Sequence, residues 1–137
     1  MAAHWILKSE PSAYSFADLE RDGRTVWDGI RNAQALIHLR AMKQGDRALF
    51  YHTGGEKAVV GLATIASDPY PDPKAGDGKL VVVDLVPERA LARPISLAAI
   101  KGEKALATLG LVRHSRLSVV PVPDEQWKVL LGMGGLP

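Results

Sequence analysis

The sequence contains no cysteine, and its apolar runs are short. The absence of cysteine excludes disulfides, thiolate metal sites and cysteine nucleophiles. The longest apolar runs, such as residues 80–83, are far below the ~20 residues that a membrane-spanning helix needs. Residues 1–4 have neither the basic nor the apolar region of a secretory signal peptide. We therefore expect a cytoplasmic protein that makes no contact with a membrane.

The chain also lacks a run of basic residues. Its 17 Lys and Arg residues and 15 Asp and Glu residues give a net charge of +2 and are spread along all 137 positions. Binding to a phosphate backbone through charge alone needs many neutralised phosphates, and hence a concentrated basic surface. A nucleic acid would therefore bind here through a local patch and a pocket. The length and the 47% hydrophobic content are those of one folded domain, residues 1–137.

Apolar periodicity predicts a protein with both helices and strands. Residues 4–9 alternate as a strand, and Ser15 with Asp18 has the spacing of a capping box, which begins a short helix that ends at Gly23. A second helix is predicted over residues 31–42, and Asp124 is expected to cap a terminal helix. Strands are predicted over residues 47–53, 58–67, 79–91 and 117–122. The loop of residues 68–78 has three alternate prolines, which predict that it contains no strand.

Several predicted strands carry apolar residues on both faces. A sheet of such strands needs cover on each side. We therefore expect an α+β fold, a small mixed β-barrel flanked by short helices.

The most informative segment is Trp-Asp-Gly-Ile-Arg-Asn, residues 27–32. A flat aromatic ring close to a guanidinium and a carboxamide is suited to holding a planar polar ring such as a nucleobase. Stacking on Trp27 requires its indole to lie beside an open slot. The alternative is a structural Trp27 that closes a loop over the core, with Arg31 and Asn32 capping the turn.

Ser9 and His52 are further candidates, and each has a structural alternative. Ser9 shares a strand face with Trp5 and Leu7, where its hydroxyl is able to bond either a ligand or a neighbouring backbone group. Lys8 points to the opposite face, so Lys8 and Ser9 cannot act as a nucleophile and base pair. His52 ends a buried strand and is either a core histidine or a ligand contact.

The chain shows no metal site and no complete catalytic set. The histidines have no metal-type spacing, and Asp18 with Asp22 reads as a solvated helix face. No nucleophile, base and orienting group occur together in a recognisable arrangement. These observations favour binding over turnover, and we expect neither a metal nor a cofactor.

Three segments together resemble the EVE domain family: Lys-Ser-Glu-Pro at residues 8–11, the segment of residues 27–32, and Tyr-His-Thr at residues 51–53. The resemblance extends over nearly the whole chain. It implies a PUA-like fold and binding of a modified nucleobase in DNA or RNA. Two positions depart from the family pattern, because Ala33 replaces a common Tyr and the strand after the proline loop lacks an early aromatic. Fewer aromatic rings imply weaker stacking.

The resemblance also implies a set of ligand-binding residues. Trp27 would stack on the base, Asn32 and Ser9 would read its edge, and Lys8, Arg31 and Arg116 would meet phosphate or sugar. The full set is Lys8, Ser9, Glu10, Trp27, Arg31, Asn32, His52, Ser115 and Arg116.

We therefore predict a non-catalytic module that recognises a modified base. The alternative is a small enzyme acting on nucleotides or modified bases, with Glu10 or His52 as general base. A third hypothesis is an adaptor that binds a metabolite in its pocket and a protein through the proline loop. The sequence does not distinguish DNA from RNA, identify the modification, name a protein partner or set the oligomeric state.

Overall fold

Seven strands form one curled mixed sheet in the computed structural model, which describes residues 3–76 and 78–136. Residues 1, 2 and 137 of the predicted domain, and Asp77 of the predicted proline loop, lie outside the described residues. The strands are β1 His4–Ser9, β2 Thr25–Trp27, β3 Arg47–His52, β4 Ala58–Ile65, β5 Tyr70–Pro71, β6 Val81–Ser96 and β7 Val119–Pro121. The helices are α1 Phe16–Asp22, α2 Ala33–Ala41, α3 Leu97–Lys101, α4 Gly110–Arg113 and α5 Asp124–Met133, with a 3₁₀ turn at Lys104–Leu106.

The sheet has the order β2-β6-β4-β3-β1-β7, with β5 added on β6. In the described part of the chain, β1 and β3 are the parallel pair and the other neighbours run antiparallel. The parallel register sets Ser9 opposite His52, so two predicted site residues meet where both strands end. No pairing joins β7 to β2 among the described residues, so the predicted barrel is an open, curled half-barrel.

Both faces of the sheet are covered, as the apolar pattern predicts. Along β1, Trp5 and Leu7 belong to one buried cluster and Ile6 to the other. The first cluster is closed by α1 and α2 and includes Phe16, Trp27 and Phe50. We call these three residues, together with His52, the aromatic cluster. The second cluster lies under α3, α4 and α5. Residue 61 must be glycine, since an added Cβ would lie 2.4 Å from the ring of Phe16.

Two helix starts follow the local sequence. The Ser15 hydroxyl accepts from the Asp18 N–H and the Asp18 carboxylate accepts from the Ser15 N–H, which confirms the capping box. The carboxylate of Asp18 has its pKa lowered, first by the hydrogen bond from the Ser15 backbone. Asn32 caps α2 through a bond from the Ala35 N–H, so this helix begins at Ala33 instead of residue 31.

Three expectations about local structure are wrong. Tyr70 and Pro71 form the short strand β5, which is possible because Pro71 lies at an edge, where its missing N–H costs no ladder bond. The predicted cap at Asp124 is absent, because that carboxylate lies 3.1 Å from Nδ1 of His4 on a distant strand. Strand β6 runs on to Ser96, past Pro94, with bulges in its pairing to β4.

Candidate nucleic-acid interface

Ser9 and His52 lie opposite each other, and Trp27 is connected to His52 through the ring of Phe50. Trp27 ends β2, whereas Ser9 and His52 end the parallel strands β1 and β3. The rings of Trp27 and His52 each pack edge-on against Phe50, at centroid distances of 5.4 and 5.6 Å. A shared site for Trp27, Ser9 and His52 therefore stays a prediction, supported by their indirect connection through Phe50.

The expected open slot beside Trp27 is wrong for this structure. The residue is only 7% exposed and packs within the first core cluster. Tyr14 covers it edge-on at a centroid distance of 6.4 Å, and neither of the two clefts described below includes Trp27. The indole is buried because β2 carries it onto the inner face of the sheet, directly opposite Val83 of β6. Contact between Trp27 and a base stays a prediction that requires Tyr14 to move.

His52 is held on both sides of its ring. Nε2 accepts a hydrogen bond from the Phe16 N–H at 3.0 Å, and Nδ1 lies 2.7 Å from Oε1 of Glu56. An acceptor at Nε2 requires the proton on Nδ1, which then donates to Glu56. This neutral imidazole therefore anchors the start of α1, because its one lone pair already accepts the hydrogen bond from the Phe16 N–H.

Ser9 and Glu10 also have partners within the protein. The Ser9 hydroxyl donates to the carbonyl of Tyr14 in a short hydrogen bond. The Glu10 carboxylate accepts from the backbone and the hydroxyl of Ser12. Glu10 and Glu56 are both exposed beside the aromatic cluster, so carboxylates border its outer side. A bound phosphate would be repelled there.

Lys8 and Ser115 contact each other away from the aromatic cluster. The Lys8 ammonium donates to the carbonyl of Ser115 at 3.0 Å and lies 5.9 Å from the centroid of the Tyr51 ring. Burial lowers the pKa of Lys8 and raises that of Tyr51. The contact ties the end of β1 to the segment that carries Arg116.

Asn32 and Arg116 lie in a separate open cleft of about 1010 Å³. We call it the edge cleft, because it lies over the edge strand β7, between α2 and the segment around α4. Residues that line it include Trp5, Asn32, Gln34, His38, His114 and Arg116. Sequence analysis missed Trp5, Gln34, His38 and His114 as site residues. The one signal available was that Gln34 and His38 share the polar side of a predicted helix. The cleft joins segments far apart in sequence, and no local pattern indicates such a meeting.

The groups on α2 are neutral hydrogen-bonding groups. Oδ1 of Asn32 is used by the helix cap, and Nε2 of Gln34 lies 3.1 Å from Nε2 of His38. Burial lowers the pKa of His38, which keeps this imidazole uncharged at neutral pH. This side of the cleft therefore offers a ligand uncharged hydrogen-bonding groups.

Arg31 lies in a third place, a smaller cleft of about 230 Å³. This cleft lies between the segment of residues 27–32 and the proline loop, where Lys74 is 3.6 Å from the carboxylate of Asp28. Arg31 is exposed and does not join Asn32 in the edge cleft. The nine predicted residues are thus divided among the aromatic cluster, the Lys8–Ser115 contact and two clefts.

Residues 3–76 and 78–136 offer neither a membrane-spanning helix nor a cluster of metal ligands. No helix in them has the length and apolarity needed to cross a membrane. No group of three or more His, Cys, Asp or Glu side chains in them is placed to hold a metal ion.

Comparison with known proteins identifies relatives over nearly the full length. The EVE domain family model matches residues 3–133. Human thymocyte nuclear protein 1 is 32% identical over 97% of this chain and 74% of its own length. A solved structure from Rhodopseudomonas palustris is 44% identical, with a TM-score of 0.94 over 98% of this chain and 94% of the other.

Two further solved structures bear on function and fold. Human THYN1 in complex with 5-methylcytosine-containing DNA is 31% identical, with a TM-score of 0.89 over 99% of each chain. The ASCH protein from Zymomonas mobilis is 13% identical, with a TM-score of 0.60 over 96% of this chain and 95% of the other, and shows a shared fold alone. These matches confirm the predicted α+β, PUA-like architecture.

Proposed function

Because the chain belongs to the EVE domain family, we propose that it is a non-catalytic module that binds a modified nucleobase in DNA or RNA. The observation that carries the proposal is the match over 99% of this chain to the solved structure of human THYN1 in complex with 5-methylcytosine-containing DNA. The mixture of a Trp ring, carboxamides and arginines on this chain supports the same chemistry. We place this module in the cytoplasm, where the absence of cysteine suits a reducing compartment.

The proposed base site is the aromatic cluster, with Trp27 as the stacking surface and Ser9 as an edge reader. A base reaches Trp27 only if Tyr14 moves, and two bonds hold Tyr14 in place. Its hydroxyl donates to Asp22 at 2.9 Å, and its carbonyl accepts from Ser9. A base that bonds Ser9 would take the hydroxyl away from Tyr14, so edge reading and opening of the site are coupled.

Energetics favours an accessible base over one in an intact duplex. Stacking on one aromatic ring contributes about 1–3 kcal/mol. Extraction of a base from a duplex costs a few kcal/mol. A single stack therefore roughly balances the extraction, and we propose single-stranded or locally opened nucleic acid as the ligand.

The geometry supports binding over catalysis. The enzyme hypothesis needs Glu10 or His52 as general base, with a lone pair directed at a substrate. Nε2 of His52 already accepts from Phe16, and the Glu10 carboxylate is bonded to Ser12 on the protein surface. Incubation with a nucleotide library tests this alternative, because turnover that disappears in Glu10→Gln would contradict a purely binding role.

The proposed function is tested by titration of single-stranded octamers, DNA and RNA, with one central 5-methylcytosine, one N6-methyladenine or no modification. We expect the wild-type protein to prefer one modified octamer by about fourfold, since burial of the added methyl group contributes about 0.8 kcal/mol. Trp27→Phe keeps an aromatic ring in the core and should reduce this preference.

Trp127→Phe is the matched control, since Trp127 is equally buried but lies in the second core cluster. Its ratio of modified to unmodified affinity should equal that of the wild type. Equal affinity of the wild-type protein for every octamer would reject the proposal.

A further inference from the structure

The edge cleft is large enough for more than one nucleotide. Its volume of about 1010 Å³ is at the upper end of the ~300–1,000 Å³ typical of small-molecule sites. It is also open along the surface, as a site for a chain molecule must be.

The charges around the edge cleft suit a phosphate. Arg116 is exposed, and within residues 3–76 and 78–136 no hydrogen bond or ion pair holds its guanidinium. Asp124 is the one carboxylate among the lining residues, and it lies 3.1 Å from His4. Exposed His114 adds a further nitrogen donor. An anion placed at Arg116 therefore meets a cation that no protein carboxylate neutralises.

The floor of the edge cleft excludes a peptide that would add as a strand. Strand β7 is an edge strand of three residues in which Val119 and Val120 are fully buried, and Pro121 and Pro123 have no N–H to donate to a new strand. Leu117 and Val122 give the floor apolar surface, on which a base or sugar is able to pack.

The edge cleft and the proposed base site share one face of β1. Trp5 lines the cleft, Ser9 belongs to the base site, and both point to the same side of the strand. Four residues separate them, a span of about 13 Å at ~3.3 Å per residue. Leu7 between them is fully buried, so nucleotides that join the two sites pass over the covering residues, and at ~3.4 Å per stacked nucleotide at least about four are needed.

We propose that the edge cleft is a second subsite, which binds the single-stranded nucleotides flanking the modified base. Arg116 binds a phosphate, and the carboxamides of Asn32 and Gln34 with the imidazole of His38 hydrogen-bond the bases. The inference rests on the proposed function for the identity of the ligand. In this proposal the edge cleft provides affinity for the nucleic acid, and the aromatic cluster distinguishes the modified base from the unmodified one.

The first test measures octamer affinity for Arg116→Ala against Arg113→Ala. Arg113 is equally exposed and only three residues away, but does not line the edge cleft. We expect Arg116→Ala to weaken modified and unmodified octamers alike, by about tenfold, with no change in their ratio. The slope of log affinity against log salt should fall by about 0.7, as for one lost contact to a single-strand phosphate. Arg113→Ala should match the wild type.

The second test follows side-chain amide signals in ¹⁵N NMR spectra. Asn32→Ser is used beside the wild type, because serine keeps the helix cap but removes the carboxamide. The Gln34 carboxamide signal should shift with the octamer, and less with a trimer centred on the modified base. Asn32→Ser should weaken the octamer severalfold without loss of helix α2.

The outcomes separate the two proposals. If the wild-type protein binds modified and unmodified octamers equally, the proposed function fails, whereas the effect of Arg116→Ala on the unmodified octamer still tests the edge cleft. If Arg116→Ala equals Arg113→Ala and the Gln34 signal stays fixed, the inference is overturned.

Discussion

The aromatic cluster and the edge cleft both contain histidine, but the two regions use it differently. In the aromatic cluster, both ring nitrogens of His52 are bonded to the protein, to Phe16 and Glu56. In the edge cleft, His38 bonds Gln34 through one nitrogen, and His114 is exposed. Residues suited to ligand chemistry are therefore not equally available to a ligand in the two regions. Polar atoms in the first region hold the fold, whereas several in the second remain open to solvent.

The two regions also differ in charge. Glu10 and Glu56 are exposed beside the aromatic cluster, whereas Arg116 is the exposed charge of the edge cleft that no partner holds among the described residues. A nucleic acid that uses both regions would place its phosphates toward Arg116 and only an uncharged base toward Trp27. The predictions below test this division, first through stability and then through pH.

Replacement of Trp27 should produce the largest loss of stability. Trp27→Ala removes a buried ring that packs against Phe50 and Tyr14, and should lower the free energy of unfolding by about 3–5 kcal/mol. Urea denaturation followed by circular dichroism measures this value. Ile37→Ala, at an exposed apolar residue on α2, should change it by less than about 0.5 kcal/mol. A loss below about 1 kcal/mol for Trp27→Ala would mean that the ring is not part of the core in solution.

The next largest effect should be the difference in lost stability between replacement of buried His52 and replacement of exposed His114. His52→Ala leaves the buried N–H of Phe16 without an acceptor, and should cost about 1–3 kcal/mol in the same assay. His114→Ala removes an exposed ring and should cost less than about 0.5 kcal/mol. Similar losses for both variants would contradict the contrast drawn between the two regions.

A hydrogen-bond network beside β2 should have a smaller effect that depends on pH. Tyr70 donates to Asp84 at 2.6 Å, and Arg24 bonds the other carboxylate oxygen. The bond to Asp84 raises the pKa of Tyr70 to about 12, and the bonds from Tyr70 and Arg24 lower the pKa of Asp84. Because Asp84 pairs with Val26, next to Trp27, this network helps to hold β2 in place.

Tyr70→Phe should cost about 0.5–1 kcal/mol near neutral pH, since solvent screens the lost bond. An unfolded Tyr ionises near pH 10, whereas folded Tyr70 keeps its proton to about pH 12. The wild-type advantage should therefore shrink as pH rises from about 10 to about 12. It should also shrink in acid, as pH falls below the ordinary carboxyl pKa of Asp84 toward its lowered folded value. A pH-independent difference between the two proteins would contradict this account.

The smallest effect should come from His38 in the edge cleft. Burial lowers its pKa, so the unfolded chain binds a proton more readily than the folded protein. Stability should therefore fall by a few tenths of a kcal/mol as pH decreases below the unfolded value of ~6.5. His38→Gln should remove this decrease, whereas His114→Gln should not. The pH dependence of the urea midpoint measures both variants.

Local signals in the sequence predicted much of the fold. Strand β1 and the capping box of α1 depend on neighbours within a few residues, so the pattern alone was sufficient. Strand β2 and helix α4 were missed, because they have only three and four residues and neither shows a clear period. Asp124 has the residue type of a helix cap, but a partner 120 residues away, His4, takes its carboxylate.

The candidate site was less predictable, because it depends on contacts between segments far apart in the sequence. The pairing of β1 and β3 sets Ser9 opposite His52, and Trp27 is connected to them only through the ring of Phe50. Whether the Trp27 ring is open depends on Tyr14, which the motif does not include. The edge cleft combines residues around 5, 34 and 116, and no pattern within one segment indicates such a meeting.

This dispersed origin has a consequence for biosynthesis. The edge cleft needs β1, helix α2 and the segment that ends with β7, so both ends of the described chain must already be paired. A ribosome-bound chain that has emerged only as far as residue 110 has no edge strand and hence no cleft. During translation, when messenger RNA is close by, the emerging polypeptide therefore lacks this surface. The cleft therefore forms only once residues up to Gln126 have emerged and long-range folding has occurred.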